Sequence, residues 1–314
     1  MSVFSPSEMA FEGFRLTRER PLAVLAWSAI FAATIILAAM LIVGGFAPRL
    51  EGAANNLNPE DPEAVVMMLA KLAPVLFALL TLWVVLSGVI SAAIYRTVME
   101  PQYSRYAALR LGKDEWRQVG VLFLCLFAAM VFTIGVNIAL ILPLRIGKAA
   151  GAEYLTLFMA EVAALALQVW FGLRLSLLPA MTFATKKIDV MAAWRLTRGN
   201  LWRLLGMVAL SVVFAFIVWV LINVVSTALA VGISGGDLGV LAQLQTPQAG
   251  LSGKTTAAVL TYFLFSLLTP VLLMVIVQAP TALAYLAIVN PDATPAPDVW
   301  HEARDDIDEN DAEN

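Results

Sequence analysis

Long uncharged stretches alternate along this chain with short segments that carry nearly all of the charged residues. A bilayer core about 30 Å thick is crossed by a helix of about 20 apolar residues. Six stretches meet this requirement, and the last is long enough that Pro270 and Pro280 are expected to kink or tilt it. The predicted spans are Leu22–Pro48, Leu72–Tyr95, Gln118–Leu144, Tyr154–Leu173, Leu204 to about Ala230, and Thr255–Asn290.

The composition agrees with a chain whose solvent is mostly lipid. Hydrophobic residues make up 61% of its 314 residues and charged residues only 14%. A soluble protein carries about 25% charged residues, because its surface has to be hydrated. We therefore predict an all-α polytopic membrane protein with a single transmembrane domain over residues 1–290.

The basic residues predict the orientation of this domain. Of the 20 Lys and Arg residues, 15 fall on the side of the spans that carries both chain ends, and five fall on the other side. Because Lys and Arg are enriched in cytoplasmic loops, both termini are expected to be cytoplasmic. The predicted location is the cytoplasmic (inner) membrane of a bacterium.

The last 24 residues, 291–314, differ from the rest of the chain. They contain nine acidic residues against Arg304 alone, three prolines and few apolar residues. Such a segment buries too little apolar surface to offset the entropy lost on ordering. We predict a disordered, solvated cytoplasmic tail; the alternative is a docking peptide for a partner, centred on Trp300.

A basic segment recurs before spans one, three and five. Each copy has two bulky apolar residues three positions apart, a small residue between them, then a base and further polar or basic positions. Residues three apart share one face of a helix, so each copy predicts a short interfacial helix. The resulting repeat units cover about 8–101, 102–180 and 187–290, each with one interfacial helix and one helical hairpin. The copies are Phe11–Arg18, Tyr106–Lys113 and Met191–Arg198.

One of these segments resembles a known family. Pro179 and Ala180, followed by the basic segment Val190–Gly206, are similar to the signature of the glycerophosphoryl diester phosphodiesterase membrane-domain group of bacterial polytopic proteins. The resemblance implies a multi-pass membrane protein, which in some relatives is fused to a soluble catalytic domain. This chain lacks the catalytic element and the acidic metal ligands of that domain, so the resemblance implies no phosphodiesterase activity.

The repeated segments supply the preferred binding site, which we name the basic collar. Basic side chains at the membrane surface attract anionic lipid headgroups, and Trp favours the interface. Membrane lipids are therefore the predicted partner, although anchoring of the topology alone would need the same charges; a membrane-protein partner or a second copy of the chain is a further alternative. The basic collar consists of Arg15, Arg18, Arg110, Lys113, Arg195 and Arg198, with Trp194 and Trp202.

Polar residues inside the spans support a second hypothesis. Glu161 is the one carboxylate within a predicted span, and intramembrane ionisable groups are often functional. With Asn137, Gln168, Asn223 and Gln278 it predicts a polar cavity for a secondary transporter or a lipid-moving protein. The alternatives are an ion pair between Glu161 and Arg145 or Lys148, and interhelical hydrogen bonds for the uncharged residues.

Enzymatic chemistry has little to build on in this sequence. The one histidine, His301, lies in the acidic tail, and the one cysteine, Cys125, lies in an apolar stretch. No phosphate-binding loop, dinucleotide fingerprint or nucleophile elbow occurs. We therefore predict a non-enzymatic protein without a metal, a cofactor or a nucleic-acid partner.

Overall fold

A computed structural model of the chain describes residues 5–54, 62–100, 108–110, 112–149, 151–240, 242 and 253–290. The acidic tail and most of the segment before the third span lie outside these residues. The described residues form ten α-helices and no β-strand. The helices are α1 (Pro6–Ala10), α2 (Glu12–Glu19), α3 (Pro21–Ala54), α4 (Pro62–Met99), α5 (Lys113–Ala149), α6 (Glu153–Leu175), α7 (Leu178–Thr185), α8 (Val190–Leu196), α9 (Leu201–Ile233) and α10 (Gly253–Val289).

The prediction of an all-α protein with six spans is confirmed. Six helices, α3, α4, α5, α6, α9 and α10, are long and apolar enough to cross a membrane, so the chain is an integral membrane protein. Most of these helices extend beyond the predicted spans, because helical hydrogen bonding continues past the apolar residues that reveal a span in the sequence. The sixth span is one helix that contains both Pro270 and Pro280.

Helix α10 lies at the centre of the bundle. It packs along α9 and also contacts α2, α3 and α4. The other spans extend this arrangement sideways, with α5 between α4 and α6. The apolar side chains of α10 explain its central position. Four of them are fully buried: Val271, Val275, Ile276 and Ala279.

The main hydrophobic core lies in one half of the molecule. With six spans, the start of α3 and the end of α10 lie at one face, which we call the terminal face; the opposite face, with the turns between α3 and α4, α5 and α6, and α9 and α10, is the hairpin face. All ten helices contribute residues to the core in the half nearer the terminal face. Toward the hairpin face most side chains of α5, α6 and α9 are exposed, as expected for lipid-facing surfaces.

Glycine allows two close helix contacts within this half. A Cβ atom on Gly13 in α2 would lie 2.5 Å from the Cα of Ile276 in α10. A Cβ atom on Gly88 in α4 would lie 2.9 Å from the Cα of Val119 in α5. At both positions backbone atoms of the neighbouring helix lie within 3 Å of the added Cβ, and at Gly88 the Cγ2 atom of Val119 is nearer still, at 2.6 Å. Such close approach is common where membrane helices pack through small residues.

The three predicted repeats are seen in part. Helices α2 and α8 occupy the first and third basic segments, and the small residue of each copy, Gly13, Ala108 and Ala193, is buried. The middle copy differs, because Ala108–Arg110 do not form an α-helix and Ala108 has a positive φ of 53°. Residues 101–107 and 111 lie outside the described residues. The threefold repeat therefore stays a prediction.

Adding a methyl group at the two close contacts is expected to loosen the bundle. Gly13→Ala and Gly88→Ala should each lower the unfolding free energy by about 1–3 kcal/mol, the usual cost of overpacking. Thermal unfolding of the purified protein in detergent measures this effect. Gly135→Ala in α5 is the control, because no atom lies within 4 Å of its added Cβ. Wild-type stability for Gly13→Ala or Gly88→Ala would contradict the close packing.

Candidate functional site at the terminal face

Five of the six cations of the basic collar are exposed at the terminal face. They are free of ion pairs with any carboxylate of the described residues. Their charged groups are therefore exposed and unpaired within the part of the chain that the structure describes. These five are Arg18, Arg110, Lys113, Arg195 and Arg198.

Arg15, the sixth cation, has a different role. It donates to Glu12 at 2.7 Å and lies 3.8 Å from Glu19, so α2 compensates its charge internally. Glu12 is itself buried where α2 docks on the bundle. Burial raises the pKa of Glu12 to about 7, although Arg15 acts in the opposite direction. Because the folded-state pKa is the higher one, docking of α2 is strongest at low pH and weakens as the pH rises through about 7.

A buried ion pair connects the end of α4 to the start of α5. The side chains of Arg96 and Glu115 are 5% and 3% exposed, and their Nη2 and Oε1 atoms are 2.5 Å apart. Arg96 also donates to the carbonyl oxygen of Ala108, while the other oxygen of Glu115 accepts from the backbone N–H of Gly112 at 2.9 Å. The pair thereby fixes both ends of the segment that joins two hairpins.

Further charges surround this pair and balance one another. Lys186, at the end of α7, lies 3.0 Å from Asp114 and 3.9 Å from Glu100. Arg117 pairs with Asp114 at 2.6 Å. We call this region the second corner, because it lies beside the second of the three repeated segments. In it, three cations are paired with three carboxylates. The second corner consists of Arg96, Glu100, Asp114, Glu115, Arg117 and Lys186.

Arg174, in the last turn of α6, lacks such compensation. Its guanidinium carbon lies 5.6 Å from the ring centre of Trp170 and 5.5 Å from that of Trp194. Its Nη1 donates to the Thr197 hydroxyl at 3.1 Å, and that hydroxyl donates to the Trp194 carbonyl oxygen at 2.9 Å. Its Nε is buried without a hydrogen-bond acceptor, and no carboxylate among the described residues pairs with it.

The two tryptophans of the basic collar have different environments. Trp194 is half-buried and packs edge-on against Trp170, with ring centres 5.4 Å apart. Trp202, near the start of α9, is 82% exposed. Trp202 is therefore available to the membrane interface, while Trp194 shapes the surroundings of Arg174.

The structure places Glu161 and its predicted companions apart. Glu161 and Gln168 are exposed on one face of α6, two turns from each other, and Asn137 is exposed on α5. The Glu161 carboxylate forms no ion pair with a described residue, since Lys148 lies 3.9 Å from Glu153 instead. The protein does not enclose these polar side chains.

The other two polar residues belong to α9 and α10. Asn223 donates to the carbonyl oxygen of Trp219 and lies 3.5 Å from the Tyr262 hydroxyl of α10. The side-chain oxygen of Gln278 is buried and accepts no hydrogen bond within the described chain. Asn223 thus contributes to the contact between α9 and α10. Neither Asn223 nor Gln278 is paired with Glu161.

Sequence reasoning missed the importance of Arg174, Thr197 and Glu115. In the sequence, Arg96 and Arg174 are simply bases that follow the apolar stretches of spans two and four. One signal was present in the sequence: Asp189 is the one acid between Arg174 and Ser234, so the bases of this stretch have few local counter-charges. The pairing of Glu115 gave no such signal, because local spacing does not reveal its partner.

Removing one member of the buried pair is expected to be costly. Arg96→Gln or Glu115→Gln should lower the unfolding free energy by about 3–5 kcal/mol, because an uncompensated charge stays buried. Arg117→Gln removes a more exposed pair three residues apart on the same helix and should cost less than about 1 kcal/mol. Thermal unfolding in detergent compares the three. Equal effects of Arg96→Gln and Arg117→Gln would contradict the structural role of the buried pair.

Comparison with known proteins adds no relative to this description. No protein-family model, no curated protein and no solved structure matches the chain. The resemblance to the phosphodiesterase membrane-domain group therefore stays a prediction that rests on the segments around Pro179 and Val190–Gly206.

Proposed function

We propose that this integral membrane protein is not an enzyme and that it binds anionic membrane lipids through the basic collar. The observation that carries the proposal is the set of five exposed collar cations without a carboxylate partner among the described residues. Structural cations at the same face, such as Arg96 and Lys186, do have such partners. The contrast separates bases that hold the fold from bases that are available to a ligand.

The energetics favour lipid as that ligand. Each Lys or Arg close to an anionic membrane surface contributes about 1 kcal/mol of attraction. Large apolar side chains are exposed beside the bases, including Trp116, Met191 and Trp202. Such side chains insert between headgroups and acyl chains, while the adjacent bases stay at the level of the phosphates.

The proposal includes an orientation and a location. The terminal face carries the larger number of bases and is proposed to be cytoplasmic, in accordance with the positive-inside rule. The proposed location is a bacterial cytoplasmic membrane. A transport function around Glu161 has less support, because the exposed side chains of Glu161, Gln168 and Asn137 form no enclosed polar path.

Neutralising the five free cations of the basic collar should remove the preference for anionic lipid. Native mass spectrometry counts the lipids retained by the protein during titration with phosphatidylglycerol or with zwitterionic phosphatidylcholine. Replacing the five cations by Gln should weaken phosphatidylglycerol binding by at least about tenfold, which corresponds to about 1.4 kcal/mol. Phosphatidylcholine binding should change little.

The control carries substitutions on the opposite face. Arg145→Gln, Lys148→Gln and Lys254→Gln remove three bases of the hairpin face, and the remaining preference for phosphatidylglycerol should resemble that of the wild type. An unchanged preference in the collar variant would overturn the proposed function.

A further inference from the structure

We propose that one anionic lipid binds at a defined site, with its phosphate held by Arg174, Arg195 and Arg198 where α6 meets α8. We call these three arginines the third corner. The inference rests on the proposed function and narrows it from a ring of charges to a single site.

Some cations at the terminal face are paired with carboxylates of the described residues, and others are not. Arg15 is paired within α2, and the second corner balances three cations with three carboxylates. The third corner has no ion pair among the described residues, and the nearest acid in sequence, Asp189, already caps α8 by accepting from the N–H of Ala192. Among the described residues, no carboxylate therefore pairs with the three arginines of this corner.

Arg174 is oriented by groups that leave its charge uncancelled. The guanidinium of Arg174 contacts the rings of Trp170 and Trp194, and the Thr197 hydroxyl accepts a hydrogen bond from one of its nitrogens, Nη1. Neutral and aromatic partners restrict its motion but do not neutralise it. No described residue accepts from Nη2, and the side chain is only partly buried, so a phosphate oxygen has a donor to approach. A planar guanidinium suits phosphate oxygens particularly well.

Arg195 and Arg198 lie close in sequence to Thr197, the residue to which Arg174 is hydrogen-bonded. Arg195 and Arg198 flank Thr197 in the sequence, and the N–H of Arg198 donates to the Arg195 carbonyl oxygen in a tight turn. Both side chains are exposed. Arg195 and Arg198 thus belong to the turn to which Arg174 is hydrogen-bonded, and a group with two or more anionic or polar oxygens is the ligand expected there.

A lipid phosphate fits this site better than a free phosphate ion. Arg174 lies in the last turn of α6, directly after the apolar stretch of the fourth predicted span, so we place the corner at the level of the lipid phosphates. Met191 and Val190 of α8 are exposed beside it, as is Trp202 at the start of α9. These apolar side chains provide contacts for an acyl chain that a free ion would not use.

Two double variants with the same loss of charge test the site. Arg195→Gln with Arg198→Gln changes the third corner, whereas Arg18→Gln with Arg110→Gln removes two equally exposed, unpaired bases elsewhere on the terminal face. Native mass spectrometry measures phosphatidylglycerol binding to each. We expect the third-corner variant to bind its most tightly held lipid at least tenfold more weakly. The comparison variant, which changes other residues of the basic collar, should weaken binding of that lipid less than threefold and should reduce the binding of further, more weakly held lipids.

The outcomes separate this inference from the proposed function. Equal weakening by both double variants would overturn the single site but leave collar binding intact. No weakening by either variant, together with an unchanged collar variant, would overturn both. Displacement of the lipid by millimolar inorganic phosphate would overturn the assignment of a lipid to the site.

A third variant tests the arginine at the centre of the site. Arg174→Lys keeps the positive charge but loses the planar guanidinium that contacts both tryptophan rings. We expect phosphatidylglycerol affinity to fall at least threefold while the thermal unfolding temperature stays close to that of the wild type. Unchanged affinity would remove Arg174 from the site.

Discussion

The terminal face combines a packed apolar core with many positive charges, and the structure depends on how those charges are compensated. Lipid cannot solvate a charge, so each arginine at the end of a span needs a protein partner, an aromatic face or contact with headgroups and water. Arg96 has a buried carboxylate partner, and Arg174 has two aromatic rings. Arg96 is therefore neutralised by its partner and joins two helices. The rings beside Arg174 accommodate its positive charge but do not neutralise it.

Packing at this face connects the spans through a common core. Core residues from all ten described helices meet in the half nearer the terminal face, and α10 lies at the centre. Toward the hairpin face, α9 and α10 share a small apolar cluster of their own, and Gly147 of α5 lies against Thr156 of α6. The half that contains the main core is therefore also the half that carries the basic collar, so a lipid bound there contacts the most extensively packed part of the described chain.

The sequence was sufficient to predict the spans but not the pairing of charges. Hydropathy reveals spans because backbone polar groups in lipid have to be satisfied within each helix. Ion pairs depend on tertiary contacts: Arg96 and Glu115 are 19 residues apart, and Lys186 and Asp114 are 72 apart. The exposure of Glu161 could not be predicted either, because apolar residues occur on both the packed and the lipid-facing sides of a membrane helix, so the sequence of α6 does not indicate which side packs.

The central claim, that uncompensated arginines at the terminal face hold an anionic lipid, is tested most directly by electron cryomicroscopy of the protein in nanodiscs that contain phosphatidylglycerol. The account predicts ordered headgroup density within hydrogen-bonding distance of Arg174, Arg195 or Arg198. Density confined to Arg18 or Arg110, or a terminal face without any ordered headgroup, would contradict it.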